Sequence, residues 1–167
     1  MMTDNEKELI LELAANAITK RDFLIHYAKP VNDVIVLDGV EKACIEKDPE
    51  GIEYQLLLGF LFDCFTEQFS SLLCKLLGEE WHYKHEDIVF ILQKLKSPNT
   101  VECLYNRALN KPAYMDYDDS YSLARKCIYA LGDINTEPAR EKLRLLATSD
   151  IPIIKEKAEK QLVSYNR

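Results

Sequence analysis

Glycine and proline are both scarce in this chain, five and six among 167 residues. With nearly half of the residues apolar, that excludes a disordered or low-complexity protein. Long hydrophobic runs are missing. The densest, residues 56–62, is interrupted by Gly59 and closed by Asp63, far short of a membrane span. The opening MMTDNEKELILEL is acidic and lacks the basic region, apolar block and small-residue cleavage site of a secretion signal, so the expectation is a cytoplasmic protein. Strand signals are weak. Residues 34–37 could form a short strand, but their flanks favour helix, and no Asn-Gly hairpin or regular alternation occurs. Also missing are a Gly-rich phosphate loop, a GxSxG motif and a recognisable Cys-His pair.

Positive charge is in deficit: 21 Lys and Arg face 28 Asp and Glu, a formal net charge of -7. A protein that grips phosphate backbones is usually basic or carries a basic stripe. The bases here are scattered among acids, which argues against nucleic acid and for a positively charged protein partner. The five cysteines, Cys44, Cys64, Cys74, Cys103 and Cys127, contain no CxxC pair and sit within apolar helical patterns. In a cytoplasmic chain they are expected to be buried free thiols packed as small hydrophobes.

What the chain has in abundance is helical patterning. Asp4 or Asn5 can cap a first helix with Leu9, Leu13, Ala14 and Ala17 on one face. After a break at Lys29-Pro30, Asn32 and Asp33 can open another, with Val34, Leu37, Val40, Cys44 and Ile45 facing inward. Asp48-Pro49-Glu50-Gly51 is a stop. Residues 52–65 are apolar around most of a helix circumference, and Gly78 ends the element that carries Phe69, Leu72, Leu73, Leu76 and Leu77.

The sharpest signal is a recurrence at thirty-nine residues. LQKLKSPNTVECL, residues 92–104, aligns without a gap to LGDINTEPAREKL, residues 131–143. Ile88, Ile91, Leu92 and Leu95 share the stripe of Cys127, Ala130, Leu131 and Ile134. A polar turn with a proline, Pro98 or Pro138, then opens a second helix. Those second helices bury Val101, Leu104 and Ala108, then Ala139, Leu143 and Leu146. Such periodicity marks a helical repeat array. A last helix, with Ile151, Ile154, Ala158, Leu162 and Tyr165 on one face, reads as its cap.

Through Leu131-Gly132-Asp133-Ile134, the turn after it, and Ala139 with Leu143, the second copy resembles the HEAT and phycobilisome-lyase-like repeat family. The first copy matches through Leu92, Leu95, Pro98, Val101 and Leu104, with Gln93 in place of Gly132. The resemblance covers the C-terminal half. WHYKHEDIVFILQKL followed by YMDYDDSYSLARKCIYALGDI is similar to small bacterial HEAT-repeat proteins of the toxin-immunity type. It implies an all-α, HEAT-like α-solenoid of stacked antiparallel helix pairs. A single domain over 1–167 is expected: degenerate pairs over 1–80, two clearer repeats over 81–149, and a capping helix over 150–167.

Two polar clusters lie outside the matched positions. Trp81-His82-Tyr83-Lys84-His85-Glu86-Asp87 offers imidazoles and carboxylates, but as HxxHE rather than the HExxH of metalloproteases. It reads foremost as an acidic first helical turn with Trp81 packed on the core, ahead of a binding surface or a metal site. Tyr114-Met115-Asp116-Tyr117-Asp118-Asp119-Ser120-Tyr121 lacks the glycine and closing glutamate of a calcium loop. Asp119 or Ser120 suits a helix cap, and Arg125 could clamp the loop. Tyrosines beside acids suit an interface or a gap between repeats. The expected contacts are Trp81, His82, His85, Arg107, Tyr114, Asp116, Tyr117, Asp118 and Arg144, with no metal or cofactor. The expected function is non-catalytic protein binding. Its concrete form, implied by the resemblance, is an immunity protein occluding the active surface of a basic toxin. A scaffold or regulator of a host protein is the alternative; a HEAT-fold lyase or DNA glycosylase is the third reading.

Overall fold

The shortage of glycine shows first at the helix ends. In the computed structural model, which describes residues 1–164, Ala28, Lys47, Asp63, Lys96 and Asn135 each close a helix in the left-handed conformation. Glycine ordinarily takes that position, since a Cβ there costs about 1 kcal/mol. Among the described residues there are ten α-helices and no strand, so the protein is all-α. None of these helices is long and apolar enough to cross a membrane. The helices fall into two compact units, Met1–Gln68 and Phe69–Arg167.

The N-terminal unit holds α1 (Asp4–Ala14), α2 (Lys20–Tyr27), α3 (Asp33–Glu46) and α4 (Pro49–Phe62). Helix α1 packs on α2 and α4, and α3 packs on α4. Ile10, Phe23, Val36, Val40, Ile52, Leu56 and Leu58 form its core. Thr3, not Asp4 or Asn5, caps α1 in a reciprocal box with Glu6; Thr19 and Asp22 repeat the device at α2, and Asn32 caps α3. The inward stripe of α3 is Val36, Val40, Ala43 and Cys44. Val34 and Ile45, expected inside, are 61% and 75% exposed, because α3 is covered on one narrow side and its apolar residues outnumber the positions there. Asp48-Pro49 stops α3 and at once starts α4, with Pro49 in the first turn.

The second unit holds α5 (Ser70–Leu77), α6 (His85–Leu95), α7 (Val101–Leu109), α8 (Ser122–Ile134), α9 (Glu137–Leu146) and α10 (Pro152–Ser164). Helix α8 is its centre, packed against α6, α7, α9 and α10 and burying Leu123, Cys127, Ile128, Ala130, Leu131 and Ile134. The thirty-nine-residue recurrence extends to the backbone. Lys96 and Asn135 are both left-handed, and the residues after them, Ser97 and Thr136, each cap a new helical turn. Side chains forty residues apart tie the copies together: Glu86 to Lys126 at 3.3 Å, Gln93 to Asp133 at 2.8 Å and Glu102 to Lys142 at 2.8 Å. Equivalent helices therefore run side by side in the same direction, α6 beside α8 and α7 beside α9. In α10, Ile154 and Ala158 are buried as expected; Tyr165 lies outside the described residues.

The cysteines depart from expectation. Cys44, Cys64 and Cys127 are buried free thiols, but Cys74 on α5 and Cys103 on α7 are half-buried and joined in a disulfide. Burial pushes the Cys127 thiol up to about 12, which keeps it inert. The charge also divides unevenly. Fourteen acids face six bases through residue 68, while fourteen face fifteen from residue 69 onward.

Candidate functional site

The two clusters outside the repeat meet in space. The peptide after α5, residues 78–84, and the peptide after α7, residues 110–121, lie against each other within the second unit. Glu80 bridges them: one carboxylate oxygen accepts from Arg107 at 3.0 Å, and the other accepts from the Ala113 amide at 3.3 Å. The His85 ring lies 3.0 Å from the Tyr114 hydroxyl, and the Tyr83 and Tyr114 rings meet edge to face at 5.2 Å.

Beneath them is a buried polar cluster. His82 and His85 are completely buried and stack with ring centroids 4.3 Å apart. His82 Nε2 is 2.7 Å from the Leu76 carbonyl, and His85 Nε2 is 2.7 Å from the Glu79 carbonyl. A carbonyl only accepts, so both rings carry their proton on Nε2. His82 Nδ1 then accepts the Lys84 amide at 3.1 Å, and His85 Nδ1 accepts the Tyr114 hydroxyl. Burial, above all, holds both imidazoles below their ordinary value, His85 at about 4, and the neighbouring Arg107 charge acts in the same direction. Arg107 is itself buried, its Nε donating to the Leu77 carbonyl at 2.7 Å. The Leu76 and Leu77 carbonyls at the end of α5 and the Glu79 carbonyl just past it thus receive two histidines and an arginine.

This geometry changes the roles expected of His82, His85 and Arg107. Their polar atoms are committed inward, to the backbone carbonyls of Leu76, Glu79 and Leu77. All four imidazole nitrogens hold backbone or tyrosine bonds, which leaves the pair no free lone pair for zinc.

The surface they support is aromatic and acidic. Tyr83 is 67% exposed and Tyr117 83% exposed, with Asp116 and Asp119 beside the latter in sequence. Tyr114 is half-buried and anchors the group. Trp81 is half-buried, its indole donating to Glu79 at 3.0 Å. The loop before α8 is held by Asp118, not by Asp119 or Ser120. Its carboxylate accepts the Ser120 hydroxyl and amide and the Ser122 amide, which hold it well below the usual carboxylate range. Lys111, not Arg125, fastens the loop, donating to the Asp118 carbonyl at 2.8 Å and lying 4.4 Å over the Tyr121 ring. Arg125 Nε is buried without a hydrogen-bond partner among the described residues. Tyr121 sits at φ 54°, strained for an aromatic residue, at the point where α8 begins. Arg144 lies on α9, paired with Glu137 at 2.8 Å, and shares no hydrogen bond or ion pair with this cluster among the described residues.

Tyr83 is the residue that sequence reasoning passes over. It stands between two histidines in a dense polar run, and only their burial shows that it points outward. In comparison with known proteins, the chain matches no family model, no curated protein and no solved structure.

Proposed function

We propose that this chain is a non-catalytic, HEAT-like repeat protein that binds one protein partner through an aromatic and acidic rim in which Tyr83, Asp116 and Tyr117 are exposed and Trp81 and Tyr114 half-buried. The observation that carries this reading is the pre-organised support: the exposed Tyr83 ring meets Tyr114, whose hydroxyl is bonded to His85 in a buried cluster of His82, His85 and Arg107. Tyrosine supplies large contact area at low entropic cost, and a fixed loop avoids the ordering penalty of binding. The ladder between residues forty apart supports a stacked-repeat architecture, which builds continuous binding surfaces. In its concrete form the protein is an immunity protein that covers a toxin's active surface. The exposed carboxylates of Asp116 and Asp119 beside Tyr117 suit a basic partner.

Affinity purification of the tagged full chain from host lysate, followed by mass spectrometry, tests this. One protein should be recovered repeatedly, and a Tyr83→Ala, Tyr117→Ala double variant should weaken its capture by about tenfold or more. Repeated recovery of no partner, or capture indifferent to both tyrosines, would overturn the reading. A toxin gene beside this one would favour the immunity form, and a housekeeping partner the scaffold form.

A further inference from the structure

Among the described residues, the two half-buried cysteines are the two that pair, while the three buried ones remain free. Cys74 and Cys103 line a shallow cleft with Gly78, Glu80, Asn106 and Asn110. One turn farther along each helix, Arg107 on α7 donates to the Leu77 carbonyl of α5. Helices α5 and α7 are therefore joined by two adjacent rungs at one cleft, the first covalent and the second a charged hydrogen bond. The same end of α5 supplies the Leu76 and Leu77 carbonyls, and the peptide just past it the Glu79 carbonyl, on which the buried cluster depends.

We propose that Cys74–Cys103 is a thiol–disulfide exchange site, open to a small thiol of the glutathione class and coupled to the order of the loop over residues 77–85. The incoming thiolate attacks one protein sulfur, forming a mixed disulfide and releasing the other cysteine, which takes up a proton. A second glutathione thiolate attacks the mixed disulfide. Two protein thiols and one glutathione disulfide result. Protein cystine gains two electrons and two protons, and two glutathione molecules lose them. Glutathione disulfide drives the reverse. Access decides which cysteines take part: the cleft admits a reagent to this pair, whereas Cys44, Cys64 and Cys127 are closed off. With the covalent rung opened, the end of α5 is held on α7 by the Arg107 bond and apolar packing, so the loop after it loosens.

The test equilibrates the native full chain in reduced and oxidised glutathione at graded ratios, quenches with an alkylating agent and maps the label by mass spectrometry. Two alkyl groups should enter together, at Cys74 and Cys103, reversibly, while the other three cysteines stay blocked until the protein unfolds. Amide exchange over residues 77–85 should rise about tenfold or more on reduction. In a Cys74→Ser, Cys103→Ser variant it should be fast in either buffer. Three results would each overturn the proposal: labelling of both cysteines in the most oxidising buffer, a disulfide reducible only on unfolding, or exchange over 77–85 unchanged by reduction. The labelling experiment needs no variant, so a variant that fails to fold leaves the proposal testable.

Discussion

His85 shows how a residue type that suggests chemistry can serve structure. Its neutral ring is fully bonded, and a second proton on Nδ1 would cost it the Tyr114 bond as an acceptor and place charge beside His82 and Arg107. The folded ring titrates at about 4 and the unfolded one near the ordinary 6.5. Between these values the unfolded chain binds more protons, so this contribution is complete above pH 6.5 and is lost as pH falls toward 4. The loss should be on the order of 3 kcal/mol. Urea unfolding followed through Trp81 fluorescence should show that slope, and His85→Gln should flatten it; an equal slope in the variant would remove His85 as its cause. Arg107 admits a second test. Arg107→Met strips the Leu77 carbonyl and Glu80 of their donor and should cost about 2–3 kcal/mol, and Lys, without the planar fork, should recover little of it.

At the scale of elements, the glycine shortage makes testable differences. Lys96 and Asn135 hold the same left-handed position in the two copies, but Asn adopts that conformation at lower cost than Lys. Lys96→Gly should raise stability by about 0.5 kcal/mol in thermal unfolding, with Asn135→Gly near neutral; equal effects would show that backbone strain is not the difference. The helix glycines differ likewise. A Cβ at Gly59 would lie 2.5 Å from the Phe65 ring, so Gly59→Ala should destabilise by about 1–3 kcal/mol despite the better helix former. At Gly39 the obstacle is the end of the Gln55 side chain, which can swing away, so Gly39→Ala should be neutral or stabilising. The stripes of α6 to α9 were legible in the sequence because each helix there buries a defined face. Helix α3 was not, because Val34 and Ile45 carry the same apolar signature whether or not a neighbour covers them.

For the whole molecule, the acid surplus resides in the N-terminal unit, with fourteen acids against six bases. Like-charge repulsion opposes compaction and is screened by salt. Moving from low to physiological ionic strength should therefore raise the stability of that unit more than that of its neighbour. Trp81, the single tryptophan, reports on the second unit, whereas far-UV circular dichroism reports on both. The dichroism transition should shift with salt more than the Trp81 transition, and identical shifts would count against this assignment.

The sequence by itself determined the helical class, the thirty-nine-residue frame and most of the core of α6 to α9, since these derive from local periodicity and from turn chemistry a few residues long. The tertiary structure decided what separation along the chain conceals. Cys74 meets Cys103 and His85 meets Tyr114, each across twenty-nine residues, and these meetings depend on the packing of α5 and the loop after it. Burial then assigned the roles. His82, His85 and Arg107 are buried with their polar atoms bonded inward, and Tyr83 between the two histidines is exposed, because a residue's polar atoms serve whichever partners the fold brings within reach.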